Sequence, residues 1–339
     1  MSWARRSAES GEGAAAAKAT PRRSDKSVVL LAAISIWMVF ERALLFVKRS
    51  LDAQRPVVAG SEAWIIHPVQ PGMVATVFEL ERYRRLFWFF AVQSIKGLYE
   101  GMSLGIFWLF ARPLLPILIS TFIFGSLLNV PSDGLPYFLF FLAGTSIWMV
   151  FERALLFATK SLDSQRSVIQ KLYFPRLLVP MASIAPAVAY LGIYMVLLVG
   201  AAVYYLVKEG QWYMSFGPGW VVAFVAVALS MVLAIGVGLF TCVWQIRHKE
   251  VRVGLRYVTR FWFYLTPVIY PMSQVPPELQ WVIYLNPMSS FVETFKWGLL
   301  GTGQFAFVPL LCSVALTAAI GVAGVWYFNR SEAASVDEM

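Results

Sequence analysis

Side chains able to do covalent chemistry are few and scattered in this 339-residue chain. His67 and His248 are its only histidines, and Cys242 and Cys312 its only cysteines, far apart and without CxxC spacing. A zinc site needs clustered ligands, so none is expected within one chain, and neither is a disulfide scaffold. Asp52, Asp133, Asp163 and Asp337 do not group. A membrane-embedded glycosyl- or acyltransferase would want clustered carboxylates or a His base, and no such cluster is visible. No G-x-x-x-x-G-K-[ST] loop or H-E-x-x-H helix occurs. Nucleotide phosphates and zinc hydrolysis therefore lack their usual signatures. No catalytic residue, metal ligand or cofactor is assigned to this chain.

The charges with most to say are Arg112 and Glu152, each inside an apolar stretch. An arginine in mid-membrane costs about 2.5–3.5 kcal/mol on insertion scales, so it should face a partner. Arg112 lies eight residues into its stretch, about 12 Å deep. Glu152 lies six residues from the inner end of its own, about 9 Å deep at 1.5 Å per residue. Similar depth on opposite-running neighbours points to a structural Arg112–Glu152 pair.

The elements that must carry these residues follow from composition. Hydrophobic residues make up 59% and charged residues 14%, against about 25% charged in an average soluble domain. That much apolar surface belongs in a bilayer, where a helix needs about 20 apolar residues to cross. Six such stretches are expected: 104–128, 136–158, 177–207, 220–246, one from Phe261 interrupted by Pro267 and Pro271, and 306–328. The loops alternate in charge. Segment 159–176 holds Lys160, Arg166, Lys171 and Arg176, and 247–260 holds Arg247, Lys249, Arg252, Arg256 and Arg260. Segment 129–135 has no cation, and 208–219 and 272–305 have one each, Lys208 and Lys296. The positive-inside rule then makes 159–176 and 247–260 cytoplasmic, with both ends of the core on that side. The net charge of +9 reads as this basic face rather than as a nucleic-acid surface. A passive channel would want pore-lining charges or a carbonyl filter, and neither is evident.

Segment 272–305 is too apolar for a plain loop and too broken to span. Pro276, Pro277 and Pro287 punctuate two short helical pieces, about 278–285 and 289–300. They suit re-entrant helices on the outer side, with an interfacial loop as the alternative. Before the core, 78–100 places Tyr83, Leu86, Phe87, Phe90, Ile95 and Leu98 at helical spacing, with Arg82, Arg84, Arg85 and Lys96 between them. This predicts an amphipathic helix on the inner leaflet. Residues 35–58 repeat 146–169 at 18 of 24 positions. So close a copy reads as a recent partial duplication, or an artefact of the gene model, within an N-terminal extension over 1–77. Residues 1–26 are expected to be disordered. Arg22, Arg23 and Lys26 before an apolar run also imitate a signal peptide.

Four motifs in order carry a family resemblance. They are Ile95-Lys96-Gly97-Leu98-Tyr99 with Leu104-Gly105-Ile106-Phe107-Trp108 and Pro113-Leu114-Leu115; Lys171-Leu172-Tyr173-Phe174-Pro175-Arg176; Leu265-Thr266-Pro267-Val268-Ile269-Tyr270-Pro271; and Leu285-Asn286-Pro287-Met288. Over about 78–330 the chain resembles ABC-2 type permeases that export polysaccharides. The resemblance implies an all-α integral membrane protein: six transmembrane helices over 101–330, the interfacial helix at 78–100, re-entrant outer helices between spans five and six, and a short cytoplasmic tail from 331. It implies a homodimer in the bacterial inner membrane, served by two copies of a separate ATPase subunit that binds ATP and Mg. The implied cargo is a glycan, commonly on an undecaprenyl-pyrophosphate lipid, as in O-antigen, capsule or teichoic acid export. An exporter of drugs or lipids with the same fold is the alternative.

On that reading, Arg166, Lys171, Phe174, Pro175, Arg176, Arg247 and Arg252 are the expected ATPase-coupling residues, or serve topology alone. Arg112 either pairs with Glu152 or meets the lipid pyrophosphate. The path and gate are expected at Phe261, Phe263, Tyr264, Tyr270 and Tyr284, because aromatic faces stack on sugars, although such rings also belong in interfacial belts. Pro267, Pro271, Asn286 and Pro287 join them. The two prolines of the fifth span should leave backbone groups unpaired, tolerable only where protein or water covers them.

Overall fold

A computed structural model describes residues 83–99, 105–169, 174–215, 217–303 and 305–336. The N-terminal extension with its partial copy, Arg82 and Lys171 lie outside the described residues. Among the described residues all regular structure is helical. Helix α1 spans Arg84–Tyr99. Helix α2, Gly105–Ser120, contains Pro113 and Pro116 and widens into a π turn over Thr121–Leu127. Helix α3 spans Tyr137–Ser164, followed by the single turn Arg166–Ile169. The short α4, Leu178–Ser183, leads into α5, Ala185–Glu209. Helix α6 is Gly219–Arg247, α7 Val251–Leu265, α8 Pro277–Tyr284, α9 Pro287–Leu300 and α10 Phe307–Val336.

Five segments are long and apolar enough to cross a membrane: Phe107–Leu127, Tyr137–Ser164, Leu178–Glu209, Gly219–Arg247 and Phe307–Ser331. The expected fifth span is a correction. Residues 251–260, read as loop, are the first two-thirds of α7, which ends at Leu265 after 15 residues. That is about 22 Å of helix, short of a hydrocarbon core of about 30 Å. The cause is local. Arg252, Arg256 and Arg260 recur every fourth residue, making one face of α7 polar. Pro267 has no N–H to continue the ladder, and its ring drives Thr266 to an extended φ of −97° and ψ of 139°. The two short helices foreseen in 272–305 form, at α8 and α9. Helix α10 carries on through most of the tail expected from 331.

Helix α3 is the most deeply buried of the spans. Its apolar residues are buried on all sides, among them Leu139, Leu142, Ile147, Trp148, Phe151 and Leu155. It tolerates polar residues because their hydroxyls turn back on its own carbonyls: Ser146 donates to Leu142 at 2.6 Å, Thr159 to Leu155 at 2.8 Å and Ser161 to Ala158 at 2.7 Å. Each group is thereby satisfied without water. Helices α5, α6, α7 and α9 pack around this rod.

Lipid tails are as apolar as leucine, so spans associate through close packing rather than hydrophobic gain. Small residues supply it. A Cβ on Gly324 of α10 would fall 2.5 Å from the carbonyl oxygen of Gly236 on α6, and one on Gly238 would fall 2.6 Å from Cβ of Ala158 on α3. Gly298 of α9 and Gly219 of α6 meet backbone to backbone in the same way. A second apolar cluster seats α1. Phe90 is buried against Phe174, ring centroids 5.7 Å apart, with Leu178, Ala182, Leu239 and Phe328 around them.

Gly324→Val should force α6 and α10 apart and cost about 1–3 kcal/mol, the usual range for overpacking. Gly192→Val is the control, because a Cβ there meets nothing within 4 Å. Thermal unfolding of the detergent-purified chain checks this: the first variant melts earlier, and the second stays near wild type.

Candidate functional site

The break after α7 is held by three side chains from two other helices, one of them that helix's cap. Lys296 of α9 is fully buried, and its Nζ donates to the carbonyl oxygen of Pro267 at 2.6 Å. The same ammonium lies 3.5 Å from Glu293 Oε1 and 3.7 Å from the centroid of the Phe140 ring. Asn286 caps α9 by accepting from the Met288 N–H at 3.0 Å. Its Oδ1 also accepts from Trp262 Nε1 at 2.8 Å, and its Nδ2 donates to Thr266 Oγ1 at 2.8 Å. Tyr137 at the start of α3 donates its hydroxyl to the Ile269 carbonyl at 2.8 Å. Gly144 makes room for this seat: a Cβ there would come 2.9 Å from Lys296 Cε and 3.2 Å from Val268.

This corrects the expectation for Pro267. Its carbonyl is not left open but takes a charge-assisted bond, roughly twice as strong as a neutral one. Asn286 and Pro287 cap the helix that brings Lys296 into place, with Pro287 at its first turn where a missing N–H costs nothing. Lys296 went unassigned in the sequence because it reads there only as the single cation of an outer segment.

Below the break lies a cavity of about 670 Å³ between α2, α3, α5 and α7. Arg112, Glu152, Arg153 and Arg260 line it, with Trp108, Trp148, Tyr190, Tyr194, Phe263 and Tyr264 among its aromatic walls. Helix α3 runs on to Ser164, so Glu152 lies twelve residues from that end, about 18 Å and twice the expected depth. Arg112 and Glu152 share the cavity, yet no ion pair joins them among the described residues. The cavity separates α2 from α3 at this level. Glu152 instead takes a long 3.5 Å bond from Thr259 Oγ1 and lies in the field of Arg153 and Arg260. The Arg153 guanidinium stacks over the Tyr190 ring, 4.9 Å from its centroid. Three guanidiniums thus face one carboxylate. A surplus of positive charge inside a membrane protein calls for water or an anion beside it.

Of the aromatics expected on a path, Phe263 and Tyr264 line this cavity. Phe263 meets Trp148 edge-on, centroids 5.5 Å apart. Phe261 faces outward and does not line it, and Tyr270 and Tyr284 belong to the broken segment and α8, away from it. Pro271 is buried in the break. Arg153 and Arg260 were read only as topology or passed over, because a cation at the edge of an apolar run looks like a loop boundary. Arg166, Arg247 and Arg252 are exposed at the basic end, Arg176 and Pro175 are half-buried, and Phe174 is buried against Phe90. Phe174 therefore anchors α1 rather than presenting its ring at the surface. Arg84, Arg85 and Lys96 of α1 are exposed.

Lys296→Met should cost about 3–5 kcal/mol, since it removes the cation beside the buried Glu293 carboxylate. Adding Glu293→Gln should recover part of that loss. Unfolding of single and double variants in detergent decides it. A double variant no more stable than Lys296→Met would remove the buried charge as the source of the cost.

Residues 85–300 match the family model described as ABC-2 type transporter. The chain is 25% identical over 230 residues to the O-antigen export system permease protein RfbA of Myxococcus xanthus, covering 66% of this chain and 84% of that protein. It is 23% identical over 240 residues to the protein of the same name from Klebsiella pneumoniae, covering 70% and 88%. A second Klebsiella pneumoniae protein of that name is 22% identical over 243 residues. The matched region takes in the deep cavity, the break and the helix carrying Lys296, and the chain belongs to the ABC-2 type transporter family.

Proposed function

We propose that this chain is the permease subunit that exports a lipid-pyrophosphate-linked polysaccharide across the bacterial cytoplasmic membrane, driven by a separate ATPase subunit. The relatives named as O-antigen export permeases support the cargo class. The observation that carries the reading is the cavity, whose lining pairs surplus guanidinium charge with aromatic walls. Arg112, Arg153 and Arg260 offer planar, always-charged donors that match phosphate oxygens bidentately. Trp108, Trp148 and Tyr264 offer flat apolar faces for sugar C–H surfaces. Glu152 keeps the net charge moderate, so an anion is held without being trapped. In this reading the chain works as a homodimer with two ATPase copies. Arg166, Lys171, Arg176, Arg247 and Arg252 supply the basic face on which those subunits dock, and ATP and Mg stay with them. The positive-inside rule supports the cytoplasmic side for that face.

Arg112→Gln and Arg260→Gln should each lower export of surface glycan by about tenfold or more, because a hydrogen bond to a charged group is worth roughly 1.5–3 kcal/mol. Assembly with the ATPase subunit should be unchanged. Immunoblots of surface glycan in a complemented deletion strain, with co-purification of the ATPase, measure both. Normal export from the double variant would remove the cavity from the path. Failure to co-purify any ATPase would remove the permease reading as a whole.

A further inference from the structure

Cations continue below the deep cavity, along the seam between α3 and α7. On α3, Arg153, Phe157 and Lys160 recur at spacings of four and three, so they share one helix face. On α7, Arg252, Arg256 and Arg260 stand one turn apart on another. The two helices run antiparallel: Thr259 meets Glu152, while Arg252 at the start of α7 acts on Lys160 near the end of α3. Arg256 then falls between Lys160 and Arg153 in height. Arg153 and Arg260 line the cavity at the top of this seam. Below them Arg256 is exposed and Lys160 half-buried, its Nζ 4.5 Å from the centroid of the Phe157 ring.

The charge along the seam is one-sided. The charged side chains whose fields act on Lys160 are Arg252 and Arg153, both of its own sign. Among the described residues no carboxylate forms an ion pair with Arg153, Lys160, Arg256 or Arg260. Glu152, at the cavity, acts on Arg153 and Arg260 from further off. The positive-inside rule asks for cations in the loops, which Arg166 and Lys249 already help to supply. It does not ask for like charges set beside one another between two helices. Height gives them a second meaning. The 28-residue α3 rises about 42 Å, and a hydrocarbon core of about 30 Å leaves about 6 Å of it at each end. Lys160, in the last turns before Ser164, therefore stands where headgroups begin. Arg153 lies about 10 Å higher. A row of cations joins the headgroup layer to the cavity.

We infer that Lys160 and Arg256 form the entry track along which the pyrophosphate end of the cargo lipid passes from the inner leaflet to Arg153 and Arg260. The inference rests on the reading of the cavity as a phosphate site. Successive cations are one or two helical turns apart, about 5–11 Å along the axis. That is close to the Debye length of about 8 Å at physiological salt, so a diphosphate leaving one cation is already in the field of the next. Charges outside a final site act on encounter: they raise the association rate in a salt-dependent way and leave dissociation to the contacts within. The track sets how fast the cavity fills, and the cavity arginines set how long it stays filled.

The test is surface plasmon resonance of the full chain in phosphatidylcholine nanodiscs, with farnesyl pyrophosphate, farnesol and inorganic pyrophosphate as probes. Wild-type association with farnesyl pyrophosphate should slow roughly tenfold between about 50 and 500 mM salt. Lys160→Gln with Arg256→Gln should lower the association rate about tenfold at low salt and keep dissociation within about twofold of wild type. Lys160→Arg with Arg256→Lys should restore it. Arg112→Gln with Arg260→Gln should instead speed dissociation. A salt-independent association rate in the wild type overturns the inference, and that measurement needs no variant to fold. Unchanged association in the Lys160→Gln, Arg256→Gln variant, with faster release from the cavity variant, overturns the track and leaves the cavity standing. Dissociation that rises as much as association falls would make the two residues part of the final site and overturn the track as well. A wild type that binds farnesyl pyrophosphate no better than farnesol removes both the track and the cavity. If the track variant slows inorganic pyrophosphate but not farnesyl pyrophosphate, the seam serves a soluble anion and the inference fails.

Discussion

One ammonium holds the centre of this protein. Lys296 Nζ closes the carbonyl of Pro267 at 2.6 Å, in a fully buried place. An unsatisfied backbone oxygen in such surroundings costs several kcal/mol. A helix stopped by proline in mid-bundle is therefore tolerable only because a cation arrives from elsewhere in the chain. Glu293 and the Phe140 ring make the cation itself tolerable by neutralising and partly solvating it. Asn286 fixes the start of the helix that delivers it, and Tyr137 ties down the Ile269 carbonyl two residues further on. The break, α9 and the N-terminal end of α3 thus form one hydrogen-bonded unit.

That unit shapes the cavity beneath it. Because α7 stops at Leu265, its last turns end beside α3 instead of running on across the bilayer. Arg260, Phe263 and Tyr264 are left facing the gap between α2, α3 and α5. Helix α2 is itself weakened by Pro113 and Pro116 and by the π turn beyond them, and little of it is buried. A loosely seated first span and a truncated helix opposite it make an opening that regular packing would have filled. The glycine contacts on the other side of α3 do the reverse: they bring α6, α9 and α10 backbone to backbone, leaving a rigid wall for the gap to be set against.

The sequence by itself determined the helical class, the membrane setting and the approximate limits of five spans, since twenty apolar residues in lipid have no other way to satisfy their backbones. It also located the break at Thr266-Pro267 and the two short helices after it, because proline acts on its own neighbours wherever it stands. Phe174, expected among the coupling residues, is buried against Phe90, and nothing in its local sequence announced that burial. Only the tertiary structure decided which charges meet. Arg112 and Glu152 look like partners when depth along two helices is the one coordinate available. They share a cavity without pairing because azimuth and helix separation are not written in linear spacing. Lys296 was visible as a lone cation and legible only as a loop charge. Its role depends on Gly144 leaving room and on Pro267 lying across the bundle, 29 residues away in sequence. Local rules fix what each segment is; contacts between distant segments fix where a buried charge can be afforded, and those arise only once the helices have packed.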